Sequence, residues 1–191
     1  DLAGMKKALA NNDVAVILME PAMTNVGIVL PADGYLKEVE KLAKKYEALL
    51  IIDETHTISV GPGGMTAELG LCPDFLTIGK AIGGGFPTGA FGMQKHVADS
   101  IKKLVELEVI DTGGVGGTLA ANALSLAAMR ASLSKVLTAE NFERMIKLGD
   151  RWADGVEQAI EKYKLSWTVN RLGARAEYMF APTAPTTGRQ A

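Results

Sequence analysis

Cysteine is almost missing: Cys72 is the only one in 191 residues, so no internal disulfide is available, and a lone thiol suits a reducing compartment such as the cytoplasm. Histidine is nearly as scarce, at two, which leaves few nitrogen or sulfur ligands for a zinc-type metal site. Neither sign of charge dominates. Lys and Arg number 20 against 22 Asp and Glu, a formal net of −2, which gives no electrostatic footprint for nucleic acid or an anionic membrane. Small molecules are the expected partners. No apolar run approaches the roughly 20 residues that a membrane-spanning helix needs, and the opening stretch DLAGMKKALANND reads as an amphipathic helix rather than a signal peptide. Internal repeats and low-complexity segments are also absent. The missing initiator methionine and the ending PTAPTTGRQA suggest a piece of a longer chain. What is present, 48% hydrophobic and 22% charged residues, is an ordinary globular composition, long enough for one buried domain and the beginning of a second.

The centre of the pattern is LLIIDETHT, Leu49–Thr57. Four consecutive aliphatic residues without polar alternation read as a strand buried on both faces, the usual condition of a parallel sheet covered by helices. Val14–Met19 is a second such strand, ending at Glu20-Pro21, and between the two Asp33 is expected to cap a helix running to about Tyr46. Strand, helix, strand in that order implies a parallel crossover. A helix over Leu2–Ala10 precedes them. GPGG, Gly61–Gly64, is expected as a loop over the strand ends. Phe75–Gly79 is a short strand leading to Lys80, Gly83–Gly85 a turn, and Ala90–Met93 a further strand. Helices are expected over Val97–Glu108 and Leu119–Leu133, separated by a glycine-rich backbone at Ile110–Thr118, and a long helix over Ala139–Lys164. Ser166–Val169 and Ala176–Phe180 look like strands of another unit, which places a boundary near 138/139.

In open α/β sheets ligands gather at the carboxyl ends of the strands, and Asp53 and Lys80 stand at two such ends, 27 residues apart in sequence. Lys80, between an apolar strand and a glycine turn, is expected to be partly desolvated and thereby tuned for Schiff-base chemistry. Ordinarily a lysine at a strand end is only a surface residue. The aspartate changes that balance, because a carboxylate that keeps a pyridine nitrogen protonated is what pyridoxal phosphate requires to act as an electron sink. Two other chemistries share parts of the pattern. LLIIDETH has the form of a helicase DExH box, but the GxxxxGK[ST] phosphate loop it needs does not occur here. Metal binding by Asp53, Glu54 and His56 would lack supporting ligands, so no metal is expected.

Glu20-Pro21, IIDET, PDFLTIGKAIGGGFPTGA (Pro73–Ala90) and GGTLAANAL (Gly116–Leu124) together resemble the class III aminotransferases of the fold-type I pyridoxal-phosphate enzymes, with glutamate-1-semialdehyde aminomutase among them. The resemblance implies an α/β fold: residues 1–138 as part of a large domain with a mostly parallel sheet, and 139–191 as a long helix and the start of a small α+β domain. It implies amino-group transfer between an amine or amino acid and a ketone or keto acid, or the aminomutase reaction. Lys80 would carry the internal aldimine and Asp53 would pair with the pyridinium nitrogen. Thr118 would bind the cofactor phosphate of the other subunit of a homodimer. The family commonly has DEV followed by glutamine or methionine; here Thr55 would pack on the ring, and His56 would either hydrogen-bond the ring phenolate or only satisfy neighbouring groups. Glu54 is expected to be structural. Asn25, five residues after Glu20, stands where many members carry a glutamate that pairs with a mobile arginine, and this matches the aminomutase branch. It points to a β-amino acid or amino-aldehyde donor. Arg171 and Arg175 are candidates for a substrate carboxylate. The family's phosphate-binding turn and ring-stacking aromatic would lie upstream of Asp1.

Overall fold

Asp1 caps the first helix, α1 (Leu2–Leu9), its Oδ1 accepting Ala3 N–H at 2.9 Å. The computed structural model describes residues 1–106 and 117–191. The first strand, β1 (Val16–Met19), leads through a loop to α2 (Tyr35–Lys45) and back to β2 (Leu49–Asp53). β1 and β2 pair in parallel, Met19 opposite Ile52, as the strand-helix-strand order implies. β3 (Phe75–Gly79) adds in parallel beside β2 with Asp53 opposite Thr77, and β4 (Gly89–Met93) returns antiparallel to β3. The sheet order is β1-β2-β3-β4, mostly parallel, as expected.

Period-2 side-chain alternation turns Ile17, Leu50 and Ile52 to one face of this sheet, where they meet Leu36, Val39, Leu42 and Ala43 of α2 together with Leu9. Each such fully buried aliphatic side chain stabilises by roughly 1.5–3 kcal/mol. Coverage on both faces does not hold within the described chain. Leu49 and Ile51 are half-buried, and Val16 and Leu18 on the same face are 39% and 67% exposed, because α1 and α2 pack on the opposite side. The uninterrupted aliphatic run therefore describes strands whose second face the described residues leave open.

Local punctuation differs from expectation at two places. Asp33 does not cap α2: the capping position is Gly34, in the left-handed region at φ 74°, with no side-chain cap, and Tyr35 N–H instead bonds Ala32 carbonyl at 3.0 Å. GPGG is a loop only as far as Gly63. A one-turn helix, α3 (Gly64–Glu68), starts at its last glycine, whose φ of +61° is a backbone state that side chains rarely adopt.

After β4 come α4 (Lys95–Glu106) and α5 (Ala123–Ala131), the latter capped by Asn122 accepting from Ser125 N–H at 2.9 Å. Residues 118–121 form a turn and Asn122 is the cap, in place of the expected first turn of helix, and 107–116, with most of the expected glycine-rich link, lie outside the described residues. A π turn, Ser132–Val136, and the cap Thr138 lead into α6 (Ala139–Tyr163). α6 packs on the antiparallel hairpin β5 (Thr168–Leu172) and β6 (Arg175–Met179). That hairpin does not stand apart from the sheet: Leu172 joins the main core, and Asn170 Nδ2 donates to Ile28 carbonyl at 2.9 Å. The latter bond ties the hairpin to the loop that follows β1.

Candidate active site

Three strand ends meet on one side of the sheet. β2 delivers Asp53, and β3 ends at Gly79, which passes directly to Lys80 at the head of a 3₁₀ turn (Lys80–Gly83). Lys80 has φ +48°, in the left-handed region uncommon for a side-chain-bearing residue and typical of functional positions. From the third end, that of β1, runs a loop carrying Glu20 and Thr24 and closed by the Met23–Val29 bridge.

Across these ends runs a continuous hydrogen-bond chain. Thr24 Oγ1 donates to Glu20 Oε2 at 2.8 Å and lies 2.5 Å from His56 Nδ1, and Lys80 Nζ lies 2.7 Å from His56 Nε2. Because the Thr24 hydroxyl gives its hydrogen to the carboxylate, its lone pair must receive Nδ1–H. Nε2 is then the bare nitrogen that accepts from Lys80. Burial, reinforced by the positive charges of Lys80 and Arg175, holds His56 below its ordinary value, with Glu20 and Asp53 opposing. A neutral imidazole is the form this hydrogen bonding requires.

Asp53 and Glu54, adjacent in sequence, differ in every contact. Asp53 Oδ1 accepts Thr55 N–H at 2.8 Å, and among the described residues its other oxygen has no partner. Glu54 is 1% exposed and takes Thr57 Oγ1 at 2.5 Å, Met65 N–H at 3.1 Å, and both the N–H and hydroxyl of Thr66 at 2.5 Å. It ties β2 to α3, a structural role as expected. A Cβ on Gly64 would fall inside contact distance of the Glu54 carboxylate, which explains the glycine there.

The remaining expected residues scatter. Thr55 is half-buried beside Gly79, Asn25 is exposed in the loop after β1, and Thr118 is exposed in a turn. Lys80 is exposed too, so the expected desolvation of its amine does not come from the described residues. Arg171 is committed to Asp150, Asp154 and Glu157, all on α6, and is spent on that helix. Arg175 reaches the site's edge, where Nη2 donates to Thr24 carbonyl at 2.7 Å and the guanidinium pairs with Glu177. Thr24 is the participant that sequence reasoning missed. It sits four residues after Glu20, but its partner His56 is 32 residues away, and no local signal joins them. Among the described residues no cluster of His, Cys, Asp and Glu is arranged to hold a metal.

An α/β sheet of this topology, with a carboxylate and a lysine at adjacent parallel strand ends, defines the class: the fold type I architecture of pyridoxal-phosphate enzymes. The family model "Aminotransferase class-III" matches residues 2–184, and the chain belongs to that family. It is 35% identical over 186 residues to a glutamate-1-semialdehyde 2,1-aminomutase of Anaeromyxobacter sp. (strain Fw109-5), covering 95% of this chain and 41% of that protein. Among solved structures it superposes on a glutamate-1-semialdehyde-aminomutase from Pseudomonas aeruginosa PAO1 with TM-score 0.90 and 43% identity, covering 99% of this chain and 43% of that one. A variant of the same enzyme, in complex with PMP, gives 0.89 and 42%, with the same coverage. An omega-transaminase from Sphaerobacter thermophilus gives 0.86 at 26% identity, covering 100% of this chain and 43% of that one. The chain thus spans about two fifths of the length of these relatives. Family membership sets aside the helicase reading of LLIIDETH. No helix among the described residues is long and apolar enough to cross a membrane.

Proposed function

We propose that the whole protein catalyses pyridoxal-phosphate-dependent amino-group transfer between an amine or amino acid, β-amino acids included, and a ketone or keto acid. The observation that carries this is the placement of Asp53 and Lys80 at the ends of adjacent parallel strands, with Asp53 in register with Thr77, three residues before Lys80. The donor set fits the cofactor: a primary amine reachable from solvent, and a carboxylate with one oxygen anchored by Thr55 N–H and the other unpartnered among the described residues. When bound, the cofactor supplies an electron sink for the substrate carbon. Asp53 would hold the proton on its pyridine nitrogen, Lys80 would bond its aldehyde carbon and afterwards move the substrate proton, and Thr55 would pack against the ring. His56, Asn25 and Glu20 would line the same side. Thr118 would reach the cofactor phosphate of a neighbouring copy, so that the active unit is a homodimer with shared sites.

The aminomutase reaction is the second reading, favoured by the 35–43% identity to proteins of that name. Asn25, being neutral, cannot pin an arginine by charge, so the preferred donor is a β-amino acid or a semialdehyde-type amine, with ornithine and γ-aminobutyrate poor. Residues 1–138 are assigned to the large domain and 139–191 to the start of the small one. A cytoplasmic location belongs to the same proposal and rests on the exposed thiol of Cys72, which suits a reducing compartment.

Lys80→Ala in the full-length protein tests the reading. It is expected to abolish the borohydride-reducible bond to pyridoxal phosphate while the circular dichroism spectrum is retained. A reducible bond persisting in the variant would remove Lys80 from the role. Mixing each candidate donor with the loaded protein, and following the cofactor absorbance, separates β-amino acids from ornithine.

A further inference from the structure

We infer that Glu20, Thr24 and His56 act together as a positioning device for Lys80: the carboxylate orients the Thr24 hydroxyl, the hydroxyl fixes the imidazole tautomer, and Nε2 holds the lysine amine at the strand end. The inference builds on the assignment of Lys80 as the cofactor-bonding lysine and adds residues to it. Each link is within hydrogen-bond distance, 2.8 Å from Thr24 to Glu20, 2.5 Å from Thr24 to His56 and 2.7 Å from His56 to Lys80. Thr24 is 2% exposed, so its hydroxyl has these two partners in place of water, and their chemistry dictates the direction of both bonds. A carboxylate only accepts, which forces the hydroxyl to donate there and to accept from Nδ1–H.

The chain is anchored at Thr24. Arg175 clamps the Thr24 carbonyl, and the Met23–Val29 bridge closes the loop around it. Lys80 itself starts from a left-handed backbone at φ +48°. Its side chain, exposed to solvent, would otherwise sample many rotamers, and a fixed acceptor at one end narrows that ensemble. One N–H of the amine is directed at Nε2, which leaves the rest of the amine to face the site. The same acceptor is available each time the amine is released, so Lys80 returns to one position between reaction halves. His56 is therefore a positioning residue in this proposal, and Thr24 and Glu20 act through it.

The test uses the full-length protein. In the cofactor-free form, nitrogen NMR of labelled histidine should show His56 with Nδ1 protonated and Nε2 bare. Thr24→Val should remove that preference and slow capture of pyridoxal phosphate by Lys80, followed by borohydride reduction and mass spectrometry, by on the order of tenfold. Thr24→Ser restores a hydroxyl without the methyl group and should restore both readouts, which a purely packing role would not do. Glu20→Gln should shift the tautomer in the same direction as Thr24→Val. An Nε2-protonated His56 in the wild type, or wild-type capture in Thr24→Val, would overturn the device. Capture by a lysine other than Lys80 would overturn the cofactor assignment instead, and the tautomer measurement, which needs no cofactor, keeps the two failures distinct.

Discussion

Two acidic regions lie side by side at the end of β2, and they are built on opposite principles. Below the strand end, Glu54 is enclosed and saturated by donors from Thr57, Met65 and Thr66. At the opening, Asp53 keeps an oxygen uncommitted among the described residues, beside a chain of hydrogen-bonded groups, Glu20, Thr24 and His56, that ends in the exposed amine of Lys80. A buried carboxylate is tolerated only where its lone pairs are matched, so Glu54 has nothing left to offer a ligand. Asp53, half-buried and with one bond from the backbone of Thr55, has a defined orientation and spare capacity. That combination suits a group that must meet something not supplied by its own fold.

The sharpest way to break this contrast is to exchange the two losses. Glu54→Gln replaces an acceptor of every neighbouring hydrogen with an amide that carries hydrogens of its own, leaving buried donors facing donors. Denaturant melts should show a loss of about 3 kcal/mol, enough to depopulate a marginal fold. Asp53→Asn should leave the melt within about 0.5 kcal/mol but lower turnover on the order of a hundredfold, the scale of losing one preorganised electrostatic partner. Equal stability losses in the two variants would erase the distinction. Gly64→Ala probes the enclosed region from the other side: its backbone sits at φ +61°, and the new Cβ meets the Glu54 carboxylate. A destabilisation of about 1–2 kcal/mol is expected, read as a shift in denaturant midpoint.

The smallest effect concerns the open region and pH. His56 is held below its ordinary value of 6.5, chiefly by burial and then by the charges of Lys80 and Arg175. Between the lowered folded value and the ordinary one, the unfolded chain binds more protons at this site than the folded chain does. Stability therefore declines as pH falls from above 6.5 through that window. His56→Gln should flatten this part of the stability profile while leaving the plateau above it nearly unchanged. A profile of the same slope in the variant would show that His56 does not contribute.

Much of the fold was legible because it is written locally. Aliphatic runs set β1, β2 and β3, the helical spacing of α2 set its core face, and the expected span of α6 matches Ala139–Tyr163 within a residue. Short-range chemistry failed where a competing local option existed. Asp33 loses the capping position to Gly34, whose left-handed backbone turns the chain before any side chain can reach α2, and GPGG hides a helix start because Gly64 packs against Glu54. Coverage of the sheet was misread for a different reason: an aliphatic run reports how apolar a strand is, while what lies over each face depends on where distant elements pack.

The amino-acid sequence by itself determined that an aspartate and a lysine would end neighbouring strands, since strand limits follow from hydrophobic runs and the punctuation around them. It also marked Glu54 as the carboxylate more suited to structure. Only the tertiary structure decided who meets whom at that end. Thr24 reaches His56 across 32 residues, His56 reaches Lys80 across 24, and Arg175 reaches the Thr24 carbonyl across 151. Strand register and loop closure set those encounters, and both are collective outcomes of packing the whole sheet rather than of any segment's own preference.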